Sequence, residues 1–342
     1  MGEVVQRRRS LLGIIALAMW ALSGSMASGG VAAASRQNSD LVVGVGAHIM
    51  NGSRPIEKSL DAVAAAGIVS IRDDAPWAKV EMQRGQYRIP EAWDRMVDTA
   101  NERHISVLLI LDYGNPFYEG GDKPRSKESI DAFVRYARFV VEHFKGRVTS
   151  YEIWNEWSTT VGHTSPGSAD DYVNLIRRVY PAVKKVDPSA KILVGAVTTQ
   201  DMERSFFKEI IRLGAMDYSD GLSIHPYVQC QRSPRPADWA DWMRKVESDL
   251  VSRTGKAVPL YVTEMGWPSF SGRCGVDEVT QARYLSELFS LARSMPFIQG
   301  IWWYDLQDDC ADPMNQECRF GLLRQDYTPK PAYQAMKLST SH

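Results

Sequence analysis

The chain has 342 residues, 44% of them hydrophobic and 24% charged, with a formal net charge of -1. This near-neutral balance, with no basic patch, argues against nucleic-acid binding. Beyond residue 34 no apolar run approaches the roughly 20 residues that a membrane-spanning helix requires, so no integral membrane span is expected there.

The first segment reads as an export signal. Arg7, Arg8 and Arg9 precede the apolar run "LLGIIALAMWALSG" from Leu11 to Gly24, and small residues follow, ending at Ala32, Ala33 and Ala34. That order matches a secretory signal peptide over residues 1–34, and "RRSLL" resembles the twin-arginine variety. A retained membrane anchor is the alternative, but its apolar run is short for a span. Removal of this segment leaves 37 basic and 40 acidic residues in a protein expected to be secreted or periplasmic.

From residue 35 onward, β-rich runs alternate with helical patterns. Strands are predicted to begin at Leu41, Ile68, Ile105, Val148, Lys191, Asp220, Val258 and Ile298. Helices are predicted near 55–66, 90–103, 127–144, 168–186, 202–213, 236–253 and 277–293, and from Pro331. Eight β-then-α units with nearly continuous apolar strands predict a single-domain α/β fold, a (β/α)8 TIM barrel over residues 35–342. A doubly wound sheet is the rival fold, but "GVGAHIMNG" after the first strand matches the dinucleotide fingerprint poorly.

Four cysteines, Cys230, Cys274, Cys310 and Cys318, all fall late in the chain. None has the two-to-four-residue spacing of metal-ligand pairs. In an exported chain an even count favours disulfides. Proximity in the sequence would join Cys310 to Cys318 and Cys230 to Cys274, with free buried thiols as the other reading.

The active site of such a barrel lies at the C-terminal strand ends. There the sequence places Arg72, Asp73 and Asp74 (strand two), Asp112 and Tyr113 (three), Asn155 and Glu156 (four), His225 and Tyr227 (six), Glu264 (seven), and Trp302, Trp303, Tyr304 and Asp305 (eight). Glu156 and Glu264 are 108 positions apart, on strands roughly opposite each other. Two carboxylates converging at a barrel mouth suit glycoside hydrolysis, in which one protonates the leaving oxygen and the other attacks or activates water. Glu152, four residues deeper in strand four, reads as a structural ion-pair partner. The second Asn-Glu, Asn101-Glu102, reads as solvated helix surface, as does His104. His48 divides between site and packing. Which of Asp112 and Tyr113 points inward stays open, because neighbours in a strand alternate.

Together, "EIWNEW", "SIHPY" and "YVTEMGWPS" resemble the clan A retaining glycoside hydrolases. The stretch from Ile71 to Gly114 is similar to glycoside hydrolase family 39 and related families. The resemblance implies a retaining β-glycoside hydrolase that cleaves a poly- or oligosaccharide by double displacement. Glu156 would be the acid/base and Glu264 the nucleophile. Arg72 would hold Glu264 ionised, Asn155 would bind the sugar 2-hydroxyl, and His225 and Tyr227 would border the pair. Trp302 or Tyr304 would form the platform under a sugar face, with Trp77 and Trp267 as further ring candidates. Transglycosylation by the same pair and an inactive carbohydrate-binding barrel are the alternatives. No cofactor or metal is expected, since the six histidines are scattered along the chain.

Overall fold

The computed structural model describes residues 40–161, 165–232, 234–312 and 314–341. The expected export signal lies outside them. In chain order the elements are β1 (Val42–Gly46), α1 (Ile56–Ala65), β2 (Ser70–Pro76), α2 (Trp77–Val80), α3 (Glu91–Glu102), β3 (Ser106–Asp112), α4 (Lys127–His143), β4 (Ser150–Ile153) and α5 (Ala169–Val186). They continue with β5 (Lys191–Thr198), α6 (Thr199–Glu203), α7 (Phe206–Arg212), β6 (Gly221–His225), α8 (Pro236–Thr254), β7 (Leu260–Met265), α9 (Glu278–Arg293), β8 (Ile298–Trp303) and α10 (Pro331–Thr340). The eight strands pair in parallel, in sequence order, and β1 closes on β8. This is the (β/α)8 barrel that the sequence predicts.

Local chemistry explains the helix boundaries. Ser126, Ser168 and Asp277 each accept a hydrogen bond from the third residue onward, capping α4, α5 and α9. Helix α5 also carries Asp170 and Asp171 in its first turn and Lys184 and Lys185 in its last, which complements the helix dipole. The predicted helix over 202–213 differs. A Thr198–Asp201 capping box starts α6 earlier, and an extended Arg204 then separates it from α7. No helix among the described residues is long and apolar enough to cross a membrane.

Helices bury one face against the barrel, whereas β3 is buried at every position after Ser106. Within the barrel, Leu108, Leu193, Tyr261 and Trp302 form a separate apolar layer. Trp302 is 4% exposed, and its ring nitrogen donates to Ser70 Oγ at 3.1 Å. The ring fits only because Gly44 and Gly300 lack side chains. A Cβ at Gly44 would collide with the five-membered ring of Trp302. Overpacking a dense interior costs about 1–3 kcal/mol, so Gly44→Ala should lower the urea midpoint of unfolding by at least that equivalent.

Both sequence-neighbour pairings occur as disulfides. Cys230 joins Cys274 and Cys310 joins Cys318, with Cα separations of 4.6 and 4.9 Å. The first joins the loop after β6 to the loop after β7, and the second closes the loop after β8.

Candidate active site

The site grows from strand ends. On β2, Arg72 points into the barrel and is 4% exposed. Its guanidinium spreads three ways. Nε donates to Glu152 Oε2 at 2.8 Å, Nη1 to Glu264 Oε1 at 2.5 Å, and Nη2 to Asn155 Oδ1 at 3.0 Å. Glu152 is fully buried, and its other oxygen accepts from Thr263 Oγ1 at 2.9 Å. It is therefore an interior ion-pair partner, as its depth in strand four suggested. Arg72 does not neutralise Asp73, which instead accepts the backbone N–H groups of Ile49 and Met50.

Beyond β4 the backbone leaves the strand pattern. Trp154 and Glu156 both adopt left-handed conformations, with φ of 68° and 45°. Such residues cost about 1–3 kcal/mol each and persist where packing enforces them. Trp154 is fully buried against Phe133 and Trp157. The left-handed turns cancel strand alternation, so consecutive Asn155 and Glu156 both face the cleft.

Opposite them, Glu264 on β7 accepts from Arg72 and also from Tyr227 Oη, at 2.9 Å. Burial alone would raise its carboxyl pKa. The charges of His225 and Arg72, with hydrogen bonds from Tyr227 and Arg72, outweigh burial and hold it well below the usual carboxylate range. His225 is fully buried. Its Nδ1 lies 2.9 Å from Glu156 Oε1 and its Nε2 lies 3.1 Å from Thr263 Oγ1. Thr263 donates its single proton to Glu152, so it can only accept from His225 Nε2–H. The Nδ1 contact with Glu156 then needs one proton, held on the ring or on the carboxyl. The chain from Glu152 through Thr263 and His225 thus orients that proton. Carboxylate oxygens of Glu156 and Glu264 and a ring nitrogen of His225 all lie within 4.8 Å of one another.

Arg72, Asn155, Glu156, Tyr227 and Glu264 line a cleft of about 390 Å³ together with His48, Asp74, Tyr113, Val161, Gln229, Tyr304, Glu317 and Phe320, whereas His225 is buried behind Glu156 and does not line it, so its expected place beside the sugar is corrected to one beside the carboxyl. Tyr113 faces the cleft, and its hydroxyl accepts from Asn155 Nδ2 at 3.2 Å, while Asp112 is fully buried. Tyr304 meets Tyr227, Phe320 and His48 edge-on, leaving a ring at the cleft wall. The expectation for Trp302 is corrected. It shares Tyr304's inward face but sits two residues deeper, about 6–7 Å along the strand, and does not line the cleft. Trp77 and Trp267 are fully buried and donate to Glu81 and to the Pro234 carbonyl, so both pack rather than face the cleft. Asn101, Glu102 and His104 are surface residues.

His48 lies 3.6 Å from Asp309 and 3.8 Å from Asp305. Burial disfavours its charged ring, but the two aspartates lift its pKa to about 9. The same aspartates accept from Arg54, at 2.8 Å for Asp305 and 2.6 Å for Asp309, so a guanidinium already sits where a cation would bind. Sequence reasoning missed Glu317, Phe320 and Gln229. The signal for Glu317 was its place beside Cys318, whose disulfide folds that loop back over the strand-eight end.

A closed parallel barrel with facing carboxyls at its C-terminal mouth defines a clan A glycoside hydrolase. The chain belongs to glycosyl hydrolase family 5, since the cellulase model of that family matches residues 35–304. Among solved structures, a family 39 glycoside hydrolase from the gut symbiont Bacteroides cellulosilyticus WH2 aligns with TM-score 0.73 and 28% identity, covering 90% of this chain and 64% of that one. Two more distant structures share the fold. GH5_18 from Streptomyces cattleya in complex with GlcNAc aligns with TM-score 0.74 at 19% identity over 88% of this chain and 79% of its own. Xylanase 10B from Thermotoga petrophila RKU-1 in complex with xylobiose aligns with TM-score 0.65 at 18% identity over 88% and 94%. No curated protein matches the chain.

Proposed function

We propose that the protein is an exported retaining β-glycoside hydrolase acting on a poly- or oligosaccharide. The observation that carries this reading is the short separation of the Glu156 and Glu264 carboxyls, within 4.8 Å oxygen to oxygen. Retaining pairs stand about 5–5.5 Å apart, whereas inverting pairs need about 6.5–9.5 Å to admit a water. Glu264, ionised by Arg72 and Tyr227, attacks the anomeric carbon. Glu156, its proton steadied by His225, protonates the leaving oxygen. Water, deprotonated by Glu156, then cleaves the glycosyl-enzyme ester, and both carboxyls return to their starting states. Asn155, tied to Arg72 and Tyr113, presents its amide to the sugar 2-hydroxyl. Tyr304 supplies the ring under the sugar. Two disulfides, and the signal-like residues 1–34, support export.

The cleft favours sugars without carboxylates. Asp74, Glu156, Glu264 and Glu317 line it. Its cations, Arg72 and His48, are already bridged to acids of the protein. An incoming carboxylate would meet repulsion worth several kcal/mol in such a site. The test is a panel of β-glucans, β-mannans, β-xylans and polyuronates with mass-spectrometric product analysis. Hydrolysis of one neutral polymer with retained anomeric configuration is expected. Turnover of polyuronates alone, or inversion, would overturn the assignment.

A further inference from the structure

One buried acid is not used by this chemistry. Asp112, the last residue of β3, is fully buried, and neither carboxylate oxygen has a hydrogen-bond donor. An ionised carboxylate in that state costs several kcal/mol, so it requires a partner. Its contact is another acid. In the β2–β3 register Asp74 pairs with Ile110, and Asp112 pairs with Pro76. The two-residue period puts Ile110 and Asp112 on one face, so Asp112 stands diagonally above Asp74, whose charge acts on it more strongly than any other.

Two ionised carboxylates can only accept, so the contact is a bond only when one of them holds a proton. Like charges this close cannot both ionise. The donors of Arg72 and Tyr136 are committed elsewhere. All three nitrogens of Arg72 serve Glu152, Glu264 and Asn155. Tyr136 Oη serves the Ala75 carbonyl and the Asp112 backbone carbonyl, not the Asp112 side chain. Asp74 itself lines the cleft, beside Arg72 and Tyr113.

We infer that Asp112 is a positioning residue: it shares one proton with Asp74 and so fixes the Asp74 carboxylate as an acceptor for hydroxyl groups of a neutral sugar in the cleft. This rests on the glycosidase reading of the site. The pair carries a single negative charge, and its proton belongs to both members. Burial, and then Asp74, push the Asp112 carboxyl well above the usual range. A group with a raised pKa holds its proton at neutral pH and releases it on the alkaline side. Release would leave two carboxylates in contact and drive Asp74 out of position. The groups that bear on this titration are Arg72 from β2, Glu152 from β4, and Asp74 itself. Tyr136 from α4 and the neighbouring Tyr113 also feel the pair.

The test compares the parent with Asp112→Asn, Asp112→Ala and Asp74→Asn. Asparagine at 112 donates permanently to Asp74 and needs no proton. Infrared spectra are recorded above the pH of about 6 at which Asp73 and Asp305 titrate. The parent should show a protonated-carboxyl carbonyl band that is missing from both Asp112→Asn and Asp74→Asn. On the neutral polymer found by the panel, parent KM should rise about tenfold or more at alkaline pH. Asp112→Asn should flatten that rise. Asp112→Ala should raise KM about tenfold at all pH values with kcat little changed. Absence of the band, or a KM profile of Asp112→Asn identical to the parent's, overturns the proposal. If no polymer is hydrolysed, the glycosidase reading falls, and the sugar-positioning role falls with it. The infrared bands decide the shared proton independently of that outcome.

Discussion

Glu264→Gln is expected to lower kcat by about 10^4-fold or more, as loss of a covalent nucleophile does, on polysaccharide and on activated aryl glycosides alike. No leaving group is good enough to replace the attacking atom. Glu156→Ala should behave differently. General acid catalysis contributes about 10^2–10^4-fold, and the contribution shrinks as the leaving group becomes more acidic. The variant should therefore fail on the polymer yet still form the glycosyl-enzyme from a dinitrophenyl glycoside. Added azide, a nucleophile that needs no base, should then accelerate release and give the β-glycosyl azide. Azide with Glu264→Gln should instead give the inverted product. The product's anomeric configuration, read by NMR, separates the two roles without reference to rate. Polymer hydrolysis by Glu264→Gln at the parent's rate would remove Glu264 from the mechanism. His225 bonds Glu156 and lies 3.8 Å from Glu264, so it should influence both roles and is the poorer residue for telling them apart.

The barrel was legible in the sequence because parallel strands buried on both faces announce themselves as apolar runs, and the helices between them carry ordinary caps. The carboxyl pair was legible because strand ends are where a barrel delivers polar side chains. Depth was not legible. Trp302 and Tyr304 share a face by the two-residue period, and only the closed barrel separates the packed layer from the mouth. Alternation also misleads just past a strand end. It would turn Asn155 and Glu156 to opposite sides, and left-handed Trp154 and Glu156 bring both to the cleft. For the same reason the pattern left Asp112 and Tyr113 undecided. The answer depends on Asp74 across the β2–β3 pairing, which no single strand encodes. Glu317 was hidden because loop positions follow from disulfide geometry rather than from periodicity.

Arg72→Ala should damage both folding and chemistry, for separable reasons. Glu152 is fully buried, and Arg72 is its ion-pair partner. Removing one partner of a buried pair costs about 3–5 kcal/mol, readable as a lower urea midpoint. The chemical effect runs through Glu264. Burial raises that carboxyl's pKa, and Arg72 is one of the groups that hold it down. Without the guanidinium the Glu264 pKa rises, so the acid limb of kcat/KM should move to higher pH. The sign for stability follows. A carboxylate with a depressed pKa stabilises the fold at neutral pH and loses that contribution as pH falls through its folded value. The parent should therefore lose stability on acidification, and Arg72→Ala should lose less because it has less of this contribution to lose. Arg72→Lys provides the control. Lysine restores the charge but is a compact point charge, unable to fork to Glu152, Glu264 and Asn155 together. It should recover part of the stability and part of the acid-limb position. Asn155 would keep only its bond to Tyr113, so the rate with a 2-hydroxyl sugar should stay low, whereas a 2-deoxy substrate should barely distinguish the Arg72→Lys variant from the parent. An acid limb unchanged in both variants would mean that His225 and Tyr227 alone keep Glu264 ionised.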